Sequence, residues 1–276
     1  MERNSMNDIV IVTVYVITDD VLRASGHRDH VLVEVSDAEV LTIAVVASMY
    51  FHNNHERTLF VLKGMGYITG SLSISRFNRR LHRLGACLES ILTIVGEVFA
   101  SGEVFIMDSF PVPVCRRVRA WRCRKVRGRE YCGYCAAKKE KFFGWRLHLL
   151  CTADGLPVAF ELLPGSYHDL TPIHELTSLL PEGATIYGDK AYNSADDEDS
   201  ILRETGVRIV PARRKNMALQ NSLADDNALR QYRHSIETLN SQLESMGVQH
   251  LHARTNPGLE LKLLASLIAL ACLNMY

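Results

Sequence analysis

Glu103-Val104-Phe105-Ile106-Met107-Asp108 is a short apolar run that closes on a carboxylate, and Ala184-Thr185-Ile186-Tyr187-Gly188-Asp189 repeats that design farther along the chain. Runs of this length without helical spacing of the apolar residues read as strands buried inside a sheet. Each aspartate then leaves the sheet at the end of its strand. Around these two runs the other elements can be counted. Gly144–Thr152 reads as a strand, Asp154-Gly155 as a hairpin turn and Leu156–Leu163 as the returning strand. Leu170–Leu180 is predicted to be a helix capped by Asp169 and ended by Pro181 and Gly183. Ser194–Thr205 follows as a helix stopped by Gly206, and Val207–Pro211 as a fifth strand. Asn227–Met246 is a long helix with Gly247 as its stop, and Leu259–Met275 a final, mostly buried one. Three strands, helix, strand, helix, strand, helix predicts a mixed five-stranded sheet with helices packed on its faces.

The chain before Glu103 reads differently. Ser36-Asp37-Ala38-Glu39 is a capping box, so the apolar run from Val40 begins a buried helix. Ser75–Leu81 leads into another, with Phe77, Leu81 and Leu84 on one face and arginines opposite. Asp8–Thr18 favours a strand by propensity, through Ile9, Val10, Ile11, Val12 and Val14. The expected division is a helical region over residues 1–100 and a sheet domain over 101–276.

With 276 residues and 47% hydrophobic content the chain can bury a full core, which excludes a disordered protein. Its longest largely apolar runs, Val40–Phe51 and Leu263–Leu273, have 12 and 11 residues. A membrane span needs about 20. No basic start precedes an apolar signal core, so a cytoplasmic protein without a membrane partner is expected. Seven cysteines in a chain of this size read as reduced thiols, with a metal site as the case to examine.

Lys+Arg and Asp+Glu both total 31, so the balance is neutral and only the distribution is informative. Residues 113–143 form a basic insertion between the first two strands. It carries Arg116, Arg117, Arg119, Arg122, Arg124, Lys125, Arg127, Arg129, Lys138, Lys139 and Lys141 against the acids Glu130 and Glu140. Trp121, Tyr131, Tyr134, Phe142 and Phe143 are interleaved with them, and cations beside flat rings suit a phosphate backbone and its bases. A second patch, Arg76, Arg79, Arg80 and Arg83, lies on a predicted helix. A neutral protein with such concentrated positive patches can still bind nucleic acid. The competing reading of either patch is a solvated basic face.

Three carboxylates can converge in this architecture. Asp108 and Asp189 end neighbouring strands, and Glu237 lies in the long helix within Arg233-His234-Ser235-Ile236-Glu237. Carboxylate oxygens are hard ligands, and three of them can hold two divalent cations for in-line phosphoryl displacement. Taken singly, each acid could be a turn residue, a cap or a solvated side chain. Lys190, beside Asp189, could contact a phosphate or pair with an acid. Cys115, Cys123, Cys132 and Cys135 include one C-x-x-C, but the second such pair of a zinc site is missing, so zinc is not expected. His148 and His168 read as core or supporting histidines rather than ligands. No phosphate-binding glycine loop is present, so the chemistry is expected to draw on transesterification rather than ATP.

The element order matches the ribonuclease-H-like fold, and the motifs resemble bacterial insertion-sequence transposases of the DDE class, most closely the group numbered nine-eighty-two. The resemblance rests on Met107-Asp108-Ser109-Phe110-Pro111-Val112, the segment from Gly133-Tyr134-Cys135-Ala136 to Gly144-Trp145-Arg146-Leu147-His148, Pro164-Gly165-Ser166-Tyr167-His168-Asp169, Gly188-Asp189-Lys190-Ala191-Tyr192 and Arg233–Glu237. It implies a catalytic and metal-binding triad of Asp108, Asp189 and Glu237, spaced by 81 and 48 residues. It implies two Mg²⁺ ions, replaceable by Mn²⁺, and cleavage at element ends followed by joining of the 3′-hydroxyl to target DNA. It further implies binding of terminal inverted repeats by residues 1–100, action as a dimer or larger oligomer on nucleoid DNA, and a helix rather than a strand at Asp8–Thr18. Arg233 fits the pattern around the glutamate. Arg230 and Glu244 stand where a tyrosine and a lysine are usual. Three rival functions remain at this level: a nuclease of the same fold that never joins strands, a non-catalytic DNA-binding relative, and a zinc-dependent binding module built on the four cysteines.

Overall fold

The computed structural model describes residues 6–136 and 138–275; positions 1–5, 137 (within the basic insertion) and 276 lie outside the described residues. Contacts divide the chain into two units, Met1–Val98 with Gln242–Tyr276, and Phe99–Ser241.

The first unit is helical: α1 (Asp8–Ala24), α2 (Asp37–Phe51), α3 (His55–Gly64), α4 (Ile74–Arg83), α5 (Gly85–Phe99), the end of α8 (Leu223–Ser245) and α9 (Asn256–Asn274). The capping box of α2 is formed, with Ser36 accepting from the Glu39 amide and Glu39 from the Ser36 amide. α1 is a helix despite its β-branched residues. The Asn7 side chain caps it, and Val10, Ile11, Val14, Thr18, Val21 and Leu22 fall on one buried stripe, so packing against α2 outweighs local propensity.

The last helix was expected with the sheet, but α9 packs on α2. Both are apolar almost all round, and two such helices can each cover part of what the other must hide. Buried hydrogen bonds fix their contact, Ser48 Oγ to Ser266 Oγ at 2.7 Å and Asn53 Nδ2 to Ser266 Oγ at 3.2 Å. By length and composition α9 could cross a membrane, yet 67% of its apolar window is buried inside the protein, as in a core helix.

The second unit holds β1 (Val104–Cys115), β2 (Cys132–Cys135), β3 (Glu140–Thr152), β4 (Pro157–Pro164), α6 (Ile173–Thr177), β5 (Thr185–Gly188), α7 (Ala195–Thr205), β6 (Arg208–Pro211) and most of α8. Strand order is β2-β3-β1-β5-β6, with β4 also paired to β3; β3 runs antiparallel to β1, while β5 and β6 run parallel to it and to each other. This is the ribonuclease-H-like sheet, with one strand more than expected. The extra strand, β2, is a four-residue piece inside the basic insertion.

β1 continues well past Asp108. Its pairing with β5 ends at Met107, so from Asp108 onward β3 is its partner and the other edge is open. Pro111 and Pro113, two residues apart, direct their missing N–H groups to the same edge and are tolerated there. Gly144 lies opposite Pro113, where a Cβ would come within 2.4 Å of the Val112 carbonyl oxygen. On one face of the sheet Phe105, Met107, Leu150, Ile173, Leu176, Tyr192, Ile201 and Ile209 form a single apolar cluster. α6 is shorter than predicted. Pro172 disfavours a helical conformation at Thr171, so the helix starts at Ile173 and Asp169 does not cap it.

In the helical unit His55 is 8% exposed, its ring 5.0 Å from that of Phe77. Burial, reinforced by the Lys262 charge, pushes it down to about 4. The unfolded chain takes up a proton near 6.5 and the native state does not, so this histidine costs stability as pH falls from 6.5 to 4. Urea unfolding at pH 7 and pH 4 should show His55→Gln losing about 3 kcal/mol less than the wild type. Equal losses in the two proteins would contradict a neutral buried His55.

Candidate active site

Met107 lies opposite Gly188 in the parallel β1–β5 pair, so the next residues, Asp108 and Asp189, emerge side by side where the pairing ends. Asp189 caps a 3-10 turn over Lys190–Tyr192, its Oδ1 accepting from the Ala191 amide at 2.7 Å. Asp108 accepts from its neighbour's amide, Ser109 N at 2.8 Å, and from Asn240 Nδ2 of α8 at 2.6 Å. Burial pushes the Asp108 carboxyl up to about 6, against the pull of these two hydrogen bonds, and the charges of Asp189 and Asp169 raise it further. Asp189 is raised as well, by burial first and then by Asp169. The site therefore gathers carboxylates for which burial, and then their mutual charges, disfavour ionisation.

Asp169 is part of this charge. Without a capping role, it faces Arg146 Nη1 at 3.5 Å and His148 Nδ1 at 3.9 Å. Arg146 is held in place by Ser109 Oγ at 3.1 Å and the Tyr134 carbonyl at 2.9 Å. It thus ties β2, β3 and the residue after Asp108 together. His148 is fully buried and pushed down to about 4, chiefly by burial, so it is neutral at pH 7. Tyr192 is 1% exposed, and its hydroxyl has no hydrogen-bond partner among the described residues. Burial raises its pKa, and Asp108, Asp169 and Asp189 raise it further. Asn240 and Tyr192 were given no role by the sequence, which made Asp169 first a helix cap and only secondarily a metal ligand. Asn240 stands three residues after Glu237, on the same side of a helix, and that spacing was the available signal.

Glu237 is exposed, its Oε1 accepting from Arg233 Nε at 2.9 Å. Among the described residues, the only three acidic, histidine or cysteine ligands with atoms all within 4.8 Å are His27, Asp29 and Asp37 of the helical unit. Arg80 occupies that cluster. Its Nε donates to Asp37 Oδ1 at 2.9 Å, its Nη1 to the Val35 carbonyl at 2.6 Å, and its Nη2 also bonds Asp37. Arg80, expected at DNA, is therefore an internal tie. Arg76, Arg79 and Arg83 are exposed and, with Leu32, Val33 and Leu72, line a groove of about 350 Å³.

In the basic insertion Arg116, Arg117, Arg119, Arg122 and Arg124 are exposed, as are Lys138, Lys139 and Lys190. Lys125 instead anchors the insertion, donating to the Val114 carbonyl at 2.7 Å. Among the described residues the four cysteines do not gather as one set of metal ligands. Cys115 and Cys123 lie in hydrogen-bonding contact, and burial first, then Cys123, push Cys115 up to about 11. Cys132 and Cys135 sit in an extended strand, where residues three apart point to opposite faces and cannot chelate one ion together.

A family model described as Transposase DDE domain matches residues 100–256. By structure the chain is similar to piggyBac transposase, solved as a synaptic complex with hairpin DNA, with 12% identity and a TM-score of 0.51 over 100% of this chain and 68% of that one. A weaker likeness is to Mos1 transposase in a paired-end complex with the left transposon end, at 13% identity and a TM-score of 0.26 over 80% of each chain. At such identities a likeness speaks to fold alone. No curated protein sequence matches.

Because the folded-state pKa of Asp108 lies above its unfolded value of about 3.8, native protein binds a proton that the unfolded chain releases between pH 4 and 6. In metal-free protein its contribution to stability therefore falls as pH rises through that window. The stability of Asp108→Asn relative to wild type should improve by up to about 3 kcal/mol from pH 4 to pH 7. Chemical denaturation in the presence of a chelator would show it, and a flat difference would mean that Asp108 titrates normally.

Proposed function

Since the chain belongs to the family of transposases with a DDE domain, we propose that it cuts DNA at the ends of an insertion sequence and joins the released 3′-hydroxyl to target DNA. The observation that carries this reading is the pair of carboxylates at the ends of two adjacent parallel strands, with α8 bonded to the first of them through Asn240. Divalent cations fit the hard oxygens of Asp108 and Asp189, whose ionised forms they would favour against burial: with Glu237 these would hold two Mg²⁺ ions, Mn²⁺ being able to replace them, which would supply charge neutralisation at the phosphate and a more acidic attacking hydroxyl.

The remaining work is done by the chain. Asn240 and the Ser109 amide hold the Asp108 carboxylate in one orientation, and the Ala191 amide holds Asp189. Rigid placement matters because phosphoryl transfer is accelerated mainly by positioning and charge stabilisation. Buried Tyr192 and His148 keep bulk water from the acids on one face. Glu237 turns to the site once Arg233 leaves it, and a DNA phosphate competes for Arg233 as a stronger partner than an exposed carboxylate. Arg116, Arg117, Arg119 and Arg122 track the DNA backbone, while Arg76, Arg79 and Arg83 contact terminal inverted repeats. Pairing two element ends calls for at least two protomers. By its motifs the chain falls in the bacterial nine-eighty-two group, and it acts on DNA in the cytoplasm.

Pre-cut element ends incubated with target DNA and Mg²⁺ should yield joined product, and Asp189→Asn should lower its rate by about 100- to 1,000-fold or more with little change in DNA affinity. Asn240→Ala, acting through Asp108, should cost about 10- to 100-fold. Cleavage without joining would favour the nuclease, and full activity in Asp189→Asn would refute the assignment. Each phosphate contact also leaves a mark in salt. Replacing Arg117 and Arg119 by glutamine should reduce the slope of log affinity against log salt by about 2. An unchanged slope would take the insertion off the DNA.

A further inference from the structure

Between Cys115 and Cys123 the chain reads Arg-Arg-Val-Arg-Ala-Trp-Arg, and Arg117–Arg122 form a 3-10 turn. The base of this loop is fastened. Cys123 and Val126 are buried at 9% and 5% exposure, the Cys123 amide donates to the Ala120 carbonyl at 3.0 Å, and Lys125 is bonded to β1. The tip is not. Trp121 is 76% exposed and Val118 78%, amid the exposed guanidinium groups of Arg116, Arg117, Arg119 and Arg122. Trp121 and Val118 together leave an apolar patch in water on a fastened loop.

The geometry of the ring narrows its partner. The Arg122 guanidinium carbon lies 4.2 Å from the Trp121 ring centroid, a cation stacked on one face. The other face is open, flat and surrounded by positive charge. An apolar protein partner would have to bury those arginines without counter-charges. A nucleobase brings a flat π-face and its own phosphates, so it satisfies both halves of the surface. Bases inside an intact duplex are already stacked on their neighbours, so the indole can take only a base whose stack is open.

We propose that Trp121 is a stacking platform for an unpaired nucleobase, clamped between the indole and the phosphate contacts of its flanking arginines. This rests on the DNA-binding reading above and deepens it by naming the form of DNA that the insertion selects. β1 rises about 23 Å from Asp108 to Cys115 at ~3.3 Å per residue. The platform therefore takes a base in the flanking DNA, away from the reacting phosphate.

The chain has two tryptophans, and Trp145 is half-buried with its ring 5.0 Å from Tyr131, so indole emission separates into an exposed and a sheltered component. The full-length protein is titrated with a blunt duplex and with the same duplex carrying a single-stranded overhang, reading anisotropy of labelled DNA and tryptophan emission together. Overhang DNA should quench the wild type strongly, and Trp121→Phe, which retains only Trp145, weakly. Trp121→Ala should weaken overhang binding by about 5- to 150-fold, from ~1–3 kcal/mol per stacked base, and blunt binding by no more than about twofold. Trp121→Phe should recover most of the loss. Equal losses on both DNAs, or unchanged overhang affinity in Trp121→Ala, would overturn the platform while leaving DNA binding intact. If the wild type binds neither DNA, the DNA reading itself fails and the platform with it.

Discussion

The parallel pairing of β1 with β5 is the constraint from which the site follows. It stops at Met107 and Gly188, and the next residue of each strand is an aspartate. Two like charges are thereby set next to each other at the rim of an apolar sheet, with Asp169 adding a third. Such an arrangement is unfavourable in the isolated protein: burial pushes both carboxyls up, and the neighbouring charges of Asp169 and, at Asp108, of Asp189 add to it. The sheet can hold it because the cluster around Phe105, Met107, Leu150 and Ile173 is buried and closely packed beneath. Stability of the core is what permits the instability of the rim, a trade expected where a site must be ready for opposite charge.

Charge is organised by use in both units. Cations that are buried serve the fold: Arg80 neutralises Asp37 and Asp29, Arg146 joins three strands' worth of groups, and Arg213 pairs with Glu198 beside β6. Two groups of cations left in solvent stand out, on the 3-10 turn at Arg117–Arg122 and along α4. Residue type alone cannot separate the two populations, because the guanidinium group suits an internal carboxylate as well as a phosphate. Burial separates them, and it moved Arg80 and Lys125 from the expected DNA surface into the scaffold.

The four cysteines show the same limit from another side. Their spacing invites a metal reading, and Cys132-Gly133-Tyr134-Cys135 looks like half a zinc site. The segment forms a strand paired with Phe143 through Glu140 of β3, and an extended backbone parts the two thiols. A chelating pair at this spacing needs a turn.

Element order, the buried strands, the capping box, the long helix and both strand-end aspartates could be read from sequence, because each is a matter of local periodicity, capping chemistry or position at the end of an apolar run. What could not be read depends on partners distant in the chain. That α9 belongs with α2, that Asp169 meets Arg146 and that Asn240 reaches Asp108 from 132 residues away are products of three-dimensional packing. Local pattern reports which face of an element must be buried. Only the folded chain decides which groups share that burial, and with it which charges are answered inside the protein and which are left in solvent.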